Sequence, residues 1–216
     1  MYHAQATNSG VFRLALSIII LAAGQGTRMR SELPKILQPL AGRPLLSHVL
    51  ECSKSLKAED ICVVYGHGAD AVQAAFADET LRWALQAEQL GTGHAMQQAM
   101  PGTPDNNRVL VLFGDVPLLK PETLVVLLGE TPVDDMAVLT VDMEDPTGYG
   151  RIIRERGSVS RIVEEKDAGP DEKAVNEINT GVMLCPADRF KSWLSELSND
   201  NAQGEYYLTD VIAMAV

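Results

Sequence analysis

The sequence has no apolar run long enough to cross a bilayer as a helix. The longest such run near the start, residues 14–23, contains Ser17 and falls well short of the roughly 20 apolar residues that a spanning helix needs. The sequence also has no basic start and no small-residue cleavage site of the kind that marks a signal peptide. We therefore predict a cytoplasmic protein that has no membrane partner.

Cysteine and clustered positive charge are also scarce. Cys52, Cys62 and Cys185 are the three cysteines in 216 residues, and their wide spacing supports neither a zinc site nor a disulfide framework. We predict buried or half-buried thiols in a reducing cytosol. The 18 basic residues are outnumbered by 29 acidic ones, for a net charge of −11, and no basic cluster resembles a nucleic-acid footprint. A polyanionic ligand would therefore need local cations and the help of a metal ion.

The chain predicts one α/β domain. Its length and its 46% hydrophobic content suit a single globular unit, with a disordered leader at residues 1–15 and the domain at residues 16–216. Strand and helix patterns alternate, which predicts a doubly wound, mostly parallel, Rossmann-like sheet. Two β-like runs within residues 148–165 predict a small antiparallel excursion. The predicted strands are residues 16–21, 61–65, 83–85, 109–113, 136–141, 151–154, 159–163 and 178–184, and the predicted helices are 44–56, 69–76, 93–100, 121–128, 187–197 and 208–216.

The strongest chemical signal is Leu-Ala-Ala-Gly-Gln-Gly-Thr-Arg-Met at residues 21–29, followed by Pro34-Lys35. Small residues at a strand end let the backbone turn sharply against a ligand, and N–H groups in such a turn can converge on phosphate oxygens. Arg28 adds a guanidinium that can bind a phosphate through two N–H groups, and Lys35 adds an ammonium group on a flexible side chain. Met29 stands where a dinucleotide-binding fingerprint needs a third glycine, and no Gly-Lys-Ser/Thr of a P-loop follows. The segment predicts a nucleotide-phosphate site of another kind.

A carboxylate follows the best strand pattern in the chain. Asp115 lies just past Val-Leu-Val-Leu-Phe at residues 109–113, at the edge where open α/β sheets bind their ligands. A lone Asp after a strand is more often a helix cap or a turn former. Gly114, however, permits close approach of a ligand, and Mg²⁺ is typically held by one or two carboxylates together with phosphates and water. We predict that Asp115 is the ligand of a Mg²⁺ cofactor.

The third segment is Gln-Ala-Glu-Gln-Leu-Gly-Thr-Gly-His-Ala at residues 86–95. Gln86 and Gln89 carry both donors and acceptors, as recognition of the edge of a uracil ring requires. Gly91 and Thr92 then lead into a predicted helix. Taken alone, the segment is better explained as a surface loop in which Thr92 caps that helix.

In their order along the chain, these segments resemble the N-terminal domain of the bacterial bifunctional N-acetylglucosamine-1-phosphate uridylyltransferases. Gly-Tyr-Gly-Arg-Ile at residues 148–152, Val-Glu-Glu-Lys-Asp-Ala at 163–168 and Glu-Ile-Asn-Thr-Gly at 177–181 also match, and the resemblance covers about residues 17–216. It implies nucleotide contacts from Leu21, Ala22, Ala23, Gly24, Lys35, Gln86, Gln89, Gly91, Thr92, Phe113, Gly114 and Asp115. It implies sugar contacts from Gly150, Glu164 and Asn179, and catalytic roles for Arg28 and Lys35. Phe113 stands where the family often has Tyr, which removes a hydroxyl but keeps the ring.

The resemblance also implies a reaction and its partners. UTP and N-acetylglucosamine 1-phosphate would give UDP-N-acetylglucosamine, a precursor of peptidoglycan and lipopolysaccharide, and pyrophosphate, with Mg²⁺. The family's second metal ligand, an Asn, and its β-helix acetyltransferase domain have no counterpart in this chain, so we expect a fragment. We expect it to be monomeric, and trimeric only if the β-helix domain is attached. The alternatives are a nucleotidyltransferase for another sugar phosphate, a non-catalytic UDP-sugar-binding module and, more distantly, a nicotinamide-binding oxidoreductase.

Overall fold

The computed structural model of the chain describes residues 15–24, 26, 29, 31, 33–66 and 68–216. Residues 1–14 of the predicted leader, and Arg28, lie outside these described residues. The strands are β1 Leu16–Leu21, β2 Pro39–Leu40, β3 Arg43–Pro44, β4 Asp60–Tyr65, β5 Arg82–Leu85, β6 Arg108–Phe113, β7 Ala137–Asp142, β8 Arg151–Glu155, β9 Ser158–Val163 and β10 Glu177–Pro186. The α-helices are α1 Leu45–Ser55, α2 Ala69–Ala75, α3 Thr92–Ala99, α4 Pro121–Glu130, α5 Pro170–Lys173, α6 Ala187–Glu196 and α7 Val211–Ala215. Within the described ranges, no helix is long and apolar enough to cross a membrane.

Four strands form the parallel part of an eight-stranded sheet, in the order β5-β4-β1-β6. The chain runs from β1 outward to β4 and β5 and then returns to place β6 on the other side of β1. This reversal of direction creates a topological switch point at the carboxyl ends of β1 and β6, where sheets of this kind bind their ligands. The predicted doubly wound, Rossmann-like architecture is confirmed.

The other strands are antiparallel to their neighbours. The strand β10 pairs in this way with β6, β7 and β8, and β9 pairs with β8. The predicted excursion is confirmed at β8 and β9, but the antiparallel part of the sheet is larger than predicted because it includes β7 and β10. Apolar periodicity indicates burial and not direction, so the sequence pattern of β7 and β10 does not reveal their orientation.

Apolar layers cover both faces of the sheet. In β1, Ile19 and Leu21 contribute to one layer, and Ile18 and Ile20 contribute to the other, as the two-residue alternation of a strand requires. The three isoleucines have no exposed surface, and burial of each such side chain contributes roughly 1.5–3 kcal/mol. Burial on both faces therefore explains why the sequence of β1 is a continuous aliphatic run.

The cysteines support this packing and carry no reactive chemistry. Cys52, Cys62 and Cys185 are buried and free, as predicted. Burial raises the pKa of the Cys62 thiol to about 11 and the pKa of the Cys185 thiol to about 12. These two thiols therefore remain protonated at neutral pH, in the form that is not nucleophilic.

Candidate active site

A cleft of about 360 Å³ opens at the carboxyl ends of β1 and β6. Its volume lies within the range of small-molecule sites. The lining residues are Leu21, Ala22, Ala23, Gly24, Gly26, Lys35, Ile36, Gln86, Gln89, Gly91, Thr92, Ala95, Phe113, Asp115 and Glu205. The structure therefore brings together the predicted nucleotide contacts from four separate segments, with the exception of Gly114.

The segment after β1 that carries Gly24 and Gly26, called the glycine turn below, is held at its start by hydrogen bonds to a residue of β4 and to the residue that follows β6. The N–H of Ala22 donates to the carbonyl oxygen of Val64 at 2.8 Å, and the N–H of Gly114 donates to that of Leu21 at 2.9 Å. A Cβ on Gly114 would lie 3.1 Å from the Cβ of Ala22. Gly114 thus packs against Ala22, and this packing explains why it does not line the cleft.

Gly26 allows the following chain to approach the turn. Its φ is +63°, and an added Cβ would lie 2.6 Å from the Cβ of Lys35, so both the conformation and the contact require glycine. Lys35 begins the 3₁₀ helix Lys35–Leu37, in which Ile36 is buried. The buried side chain of Ile36 anchors the segment that presents Lys35 to the cleft.

Lys35 and Asp115 form an ion pair in the cleft, between Nζ and Oδ2. Their side chains retain 38% and 25% of their exposure, so both groups remain accessible to a ligand. The predicted catalytic cation and the predicted metal ligand are therefore neighbours. The predicted role of Arg28 stays a prediction, since that residue lies outside the described part of the chain.

The side-chain amide of Gln86 is fixed by two contacts. Gln86 is 3% exposed, and its Nε2 lies 3.0 Å from the carbonyl oxygen of Gly91 and 3.2 Å from Nδ1 of His94. The neighbouring Gln89 is exposed, and its Nε2 donates to the main-chain oxygen of Gln86 at 3.0 Å. The surface-loop interpretation is therefore wrong for Gln86, which is a buried residue that lines the cleft.

A distant segment of the chain supports the Gly91 turn. Gly91 has a φ of +106°, and a Cβ there would lie 2.6 Å from the carbonyl oxygen of Tyr206. The N–H of Tyr206 donates to Leu90 at 2.8 Å, and the N–H of Leu208 donates to the hydroxyl of Thr92 at 3.1 Å. The hydroxyl of Thr92 thus binds this segment and does not cap α3, whose N-cap is Gly91.

The three predicted sugar contacts lie just before β8 (Gly150), in the loop after β9 (Glu164) and on β10 (Asn179). The N–H of Asn179 donates to the carbonyl oxygen of Gly150 at 2.9 Å, and a Cβ on Gly150 would lie 3.4 Å from Oε2 of Glu164. Oε1 of Glu164 accepts from the hydroxyl of Thr209 at 2.9 Å. None of the three lines the nucleotide cleft. The segment 205–209 connects the two places, because Glu205 lines the cleft and Thr209 donates to Glu164.

The environment of Glu164 favours its neutral form. Burial raises the pKa of this carboxyl, and the negative charges of Asp210, Asp167 and Glu205 act in the same direction. The hydrogen bond from Thr209 partly opposes them. A carboxyl held in this way is desolvated before a ligand arrives, which strengthens its hydrogen bonds to ligand hydroxyls.

Sequence reasoning missed Glu205 and Thr209. No local motif marks them, because they belong to a loop and a short 3₁₀ turn far along the chain from the residues they contact. Residues 205–209 contain the cue Glu-Tyr-Tyr-Leu-Thr, in which two aromatic residues adjoin polar ones.

Comparisons with known proteins identify the family of this chain. The profile of the MobA-like NTP transferase domain matches residues 18–189. The chain is 59% identical over 203 residues to the "Bifunctional protein GlmU" of Alkalilimnicola ehrlichii and 58% identical over 204 residues to the protein of that name from Pseudomonas aeruginosa. Each match covers 94% of this chain but 44% and 45% of the relative, so the chain spans less than half the length of these relatives.

Two solved structures have a similar fold. A UDP-glucose pyrophosphorylase complexed with UDP-glucose aligns with a TM-score of 0.74 and 18% identity, over 93% of this chain and 86% of that one. A putative glucose-1-phosphate thymidylyltransferase from Bacillus anthracis, in complex with a sucrose, aligns with a TM-score of 0.68 and 23% identity, over 90% of this chain and 80% of that one. From the profile match over most of its length, the chain belongs to the MobA-like NTP transferase domain family and is a nucleotidyltransferase related to the bifunctional GlmU proteins.

Proposed function

We propose that this chain transfers the uridylyl group of UTP to N-acetylglucosamine 1-phosphate, giving UDP-N-acetylglucosamine and pyrophosphate. The observation that carries the proposal is the single cleft that joins the glycine turn, the Lys35–Asp115 pair and the buried amide of Gln86. A turn with a cation suits phosphates, and an amide suits the edge of a base. The identities of 59% and 58% to bifunctional GlmU proteins support the same function.

The carboxylate of Asp115, together with the phosphates of a bound nucleotide, would suit Mg²⁺. Within the described ranges, no three His, Cys, Asp or Glu side chains form a complete metal site. Mg²⁺ does not need one, because it commonly takes one or two carboxylates and completes its shell with phosphate oxygens and water. Asp115 would hold the ion, which when bound would neutralise phosphate charge and orient the reacting groups. Lys35 would then exchange its contact with Asp115 for a phosphate oxygen.

The reaction needs no nucleophile from the protein. A phosphate oxygen of the sugar phosphate would form a bond to the α-phosphorus of UTP, while the bond from that phosphorus to the bridging oxygen breaks and pyrophosphate leaves with the electron pair. The chain would contribute position and charge. Lys35 and Arg28 would stabilise the negative charge that develops on the phosphates.

The sugar would occupy the space beside Gly150, Glu164 and Asn179. Glu164 can accept hydrogen bonds from sugar hydroxyls, and the amide of Asn179 can donate to or accept from the acetamido group. Gly150 is buried beside Glu164 and leaves the space between them free of a side chain. The absence of a side chain at Gly150 matters because a Cβ there would contact both Ile162, at 3.0 Å, and Glu164.

The proposal is tested by measuring pyrophosphate release from UTP, CTP, GTP and ATP, each with N-acetylglucosamine 1-phosphate and Mg²⁺. We expect release with UTP, loss of that release in Asp115→Asn, and wild-type rates in Asp105→Asn. Asp105 is the matched control, since it is an exposed aspartate paired with Lys191 outside the cleft. Both substitutions remove one negative charge and conserve volume.

Each outcome separates a different alternative. Release with another nucleotide, or with glucose 1-phosphate in preference to the N-acetylated sugar, would contradict the proposed substrates. Binding of UDP-N-acetylglucosamine without release from any nucleotide would indicate a non-catalytic binding module. Equal loss of activity in Asp105→Asn would show that the effect of Asp115→Asn is not specific to the cleft.

A further inference from the structure

We infer that His94 is a positioning residue, which holds the amide of Gln86 so that the cleft presents a hydrogen-bond acceptor to the base and thereby selects uracil over cytosine. The inference rests on the proposed function, because it concerns the base of the nucleotide bound in the same cleft. It extends that function to a residue that lies behind the base-contacting side chain.

The orientation of the Gln86 amide follows from its contacts. The carbonyl oxygen of Gly91 can only accept, so the atom 3.0 Å away must be the NH₂ group of Gln86. One N–H of this group is directed at Gly91. The second lies 3.2 Å from Nδ1 of His94, so Nδ1 must accept and the ring proton of neutral His94 must be on Nε2.

These two bonds leave the amide oxygen as the ligand-facing group. Gln86 is only 3% exposed, and it lines the cleft. No described residue donates a hydrogen bond to its Oε1. This oxygen is also absent from the fully buried side-chain atoms that lack a partner, so it retains some accessible surface. The main chain at Gln86 is held as well, because its N–H donates to the carbonyl oxygen of Tyr65 at 2.8 Å.

A fixed acceptor discriminates between the two pyrimidines. Uracil carries a proton on N3 that can donate to Oε1, whereas cytosine carries a lone pair on N3 that would face the same oxygen. A glutamine free to rotate could turn its NH₂ group toward cytosine and bind both bases. Rotation is prevented here because it would place Oε1 against the carbonyl oxygen of Gly91 and remove the donor to His94.

A purely structural role for His94 is the competing explanation. His94 is half-buried on the first turn of α3, and its ring lies 6.4 Å from that of Tyr206. If packing were its whole contribution, any side chain of similar shape would serve. The acceptor at Nδ1 and the shape of the ring can be separated by substitution.

The test compares His94→Asn, which can place an acceptor near the position of Nδ1, with His94→Leu, which has a similar size and no acceptor. Calorimetric affinities for UTP and CTP would be measured with each protein, alongside kcat and KM for both nucleotides. We expect the wild type and His94→Asn to prefer UTP. We expect His94→Leu to lose about tenfold of that preference, mainly through a higher KM for UTP with kcat less affected.

Equal preference for UTP in His94→Asn and His94→Leu would overturn the inference, and so would a wild-type protein that binds both nucleotides equally. Selective UTP binding without transfer would contradict the proposed function and leave the inference supported. If His94→Leu does not fold, ¹⁵N NMR of the wild-type ring decides the question. A proton on Nε2 is expected, and a proton on Nδ1 would overturn the inference.

Discussion

At the scale of single residues, the ion pair of Lys35 and Asp115 places one positive and one negative group side by side in the cleft. Asp115 follows β6, and Lys35 comes from a separate segment after β1, yet their charged atoms are in contact. In a protein with a net charge of −11, this cation offsets the carboxylate of Asp115 until a phosphate replaces that contact. Its removal should therefore affect charge that develops during reaction more than it affects recognition of the base.

Lys35→Ala should lower turnover about 10²–10³-fold, the usual loss when one group that stabilises transition-state charge is removed. Nucleotide affinity should fall much less, because the contacts to the base remain. Steady-state kinetics and calorimetry would measure the two effects. Lys54→Ala is the control, since Lys54 pairs with Glu79 outside the cleft, and unchanged turnover in Lys35→Ala would refute the catalytic role.

Glu164 and Glu165 are adjacent, and their pKa values are shifted in opposite directions. Burial raises the pKa of Glu164, so the native state holds its proton more strongly than the unfolded state. Stability is therefore lost as pH rises from the unfolded value, about 4.3, through the raised folded value. For Glu165, the hydrogen bond from Arg151 lowers the pKa, and the stability it contributes is lost as pH falls through the folded value.

Glu164→Gln should accordingly raise the melting temperature at pH 7, and the gain should vanish below about pH 4. Glu165→Gln should lower the melting temperature at pH 7. Thermal unfolding of both variants from pH 3.5 to pH 8 would measure these effects. A melting temperature for Glu164→Gln at or below that of the wild type at pH 7 would contradict a desolvated native carboxyl at this position.

At the scale of elements, β10 joins the two halves of the sheet through an irregularity. Its register with β7 shifts between Asn179 and Met183, and within this interval Gly181 has a φ of +85°. An added Cβ at Gly181 would overlap the ring of Phe113. The bulge therefore sets the position of Phe113 at the cleft, and a side chain at Gly181 would disturb both the strand and the cleft.

Gly181→Ala should destabilise the fold by about 1–3 kcal/mol and should reduce nucleotide affinity by displacing Phe113. Gly129→Ala is the matched control, because Gly129 lies in α4 and an added Cβ there meets nothing within 4 Å. That variant should be neutral or stabilising by up to about 1 kcal/mol. Urea denaturation would distinguish them, and equal stability of the two variants would contradict the steric argument.

At the scale of the whole molecule, net negative charge should make nucleotide binding depend on a divalent cation. UTP with MgCl₂ should raise the melting temperature, by about 2–4 °C for each kcal/mol of binding free energy, and UTP alone should raise it less. In Asp115→Asn the difference between these two conditions should shrink. Differential scanning fluorimetry would test this, and an equal shift with and without Mg²⁺ in the wild type would argue against a metal at Asp115. The expected monomeric state stays a prediction.

The sequence by itself determined the elements and the local part of the site. Buried runs such as β1, small residues at a strand end and a carboxylate after β6 are properties of contiguous residues, set by sterics and burial. These features predicted the doubly wound sheet and the edge at which Lys35 and Asp115 meet. The resemblance to a known family added the contacts to the sugar.

The tertiary structure alone decided which distant residues complete that site. The antiparallel direction of β10, the contact of Thr209 with Glu164 and the bond from Leu208 to Thr92 join segments that do not determine one another locally. Only the packed sheet brings these segments within hydrogen-bond distance. Periodicity records that a residue is buried, but its partner depends on how the whole chain closes around the core.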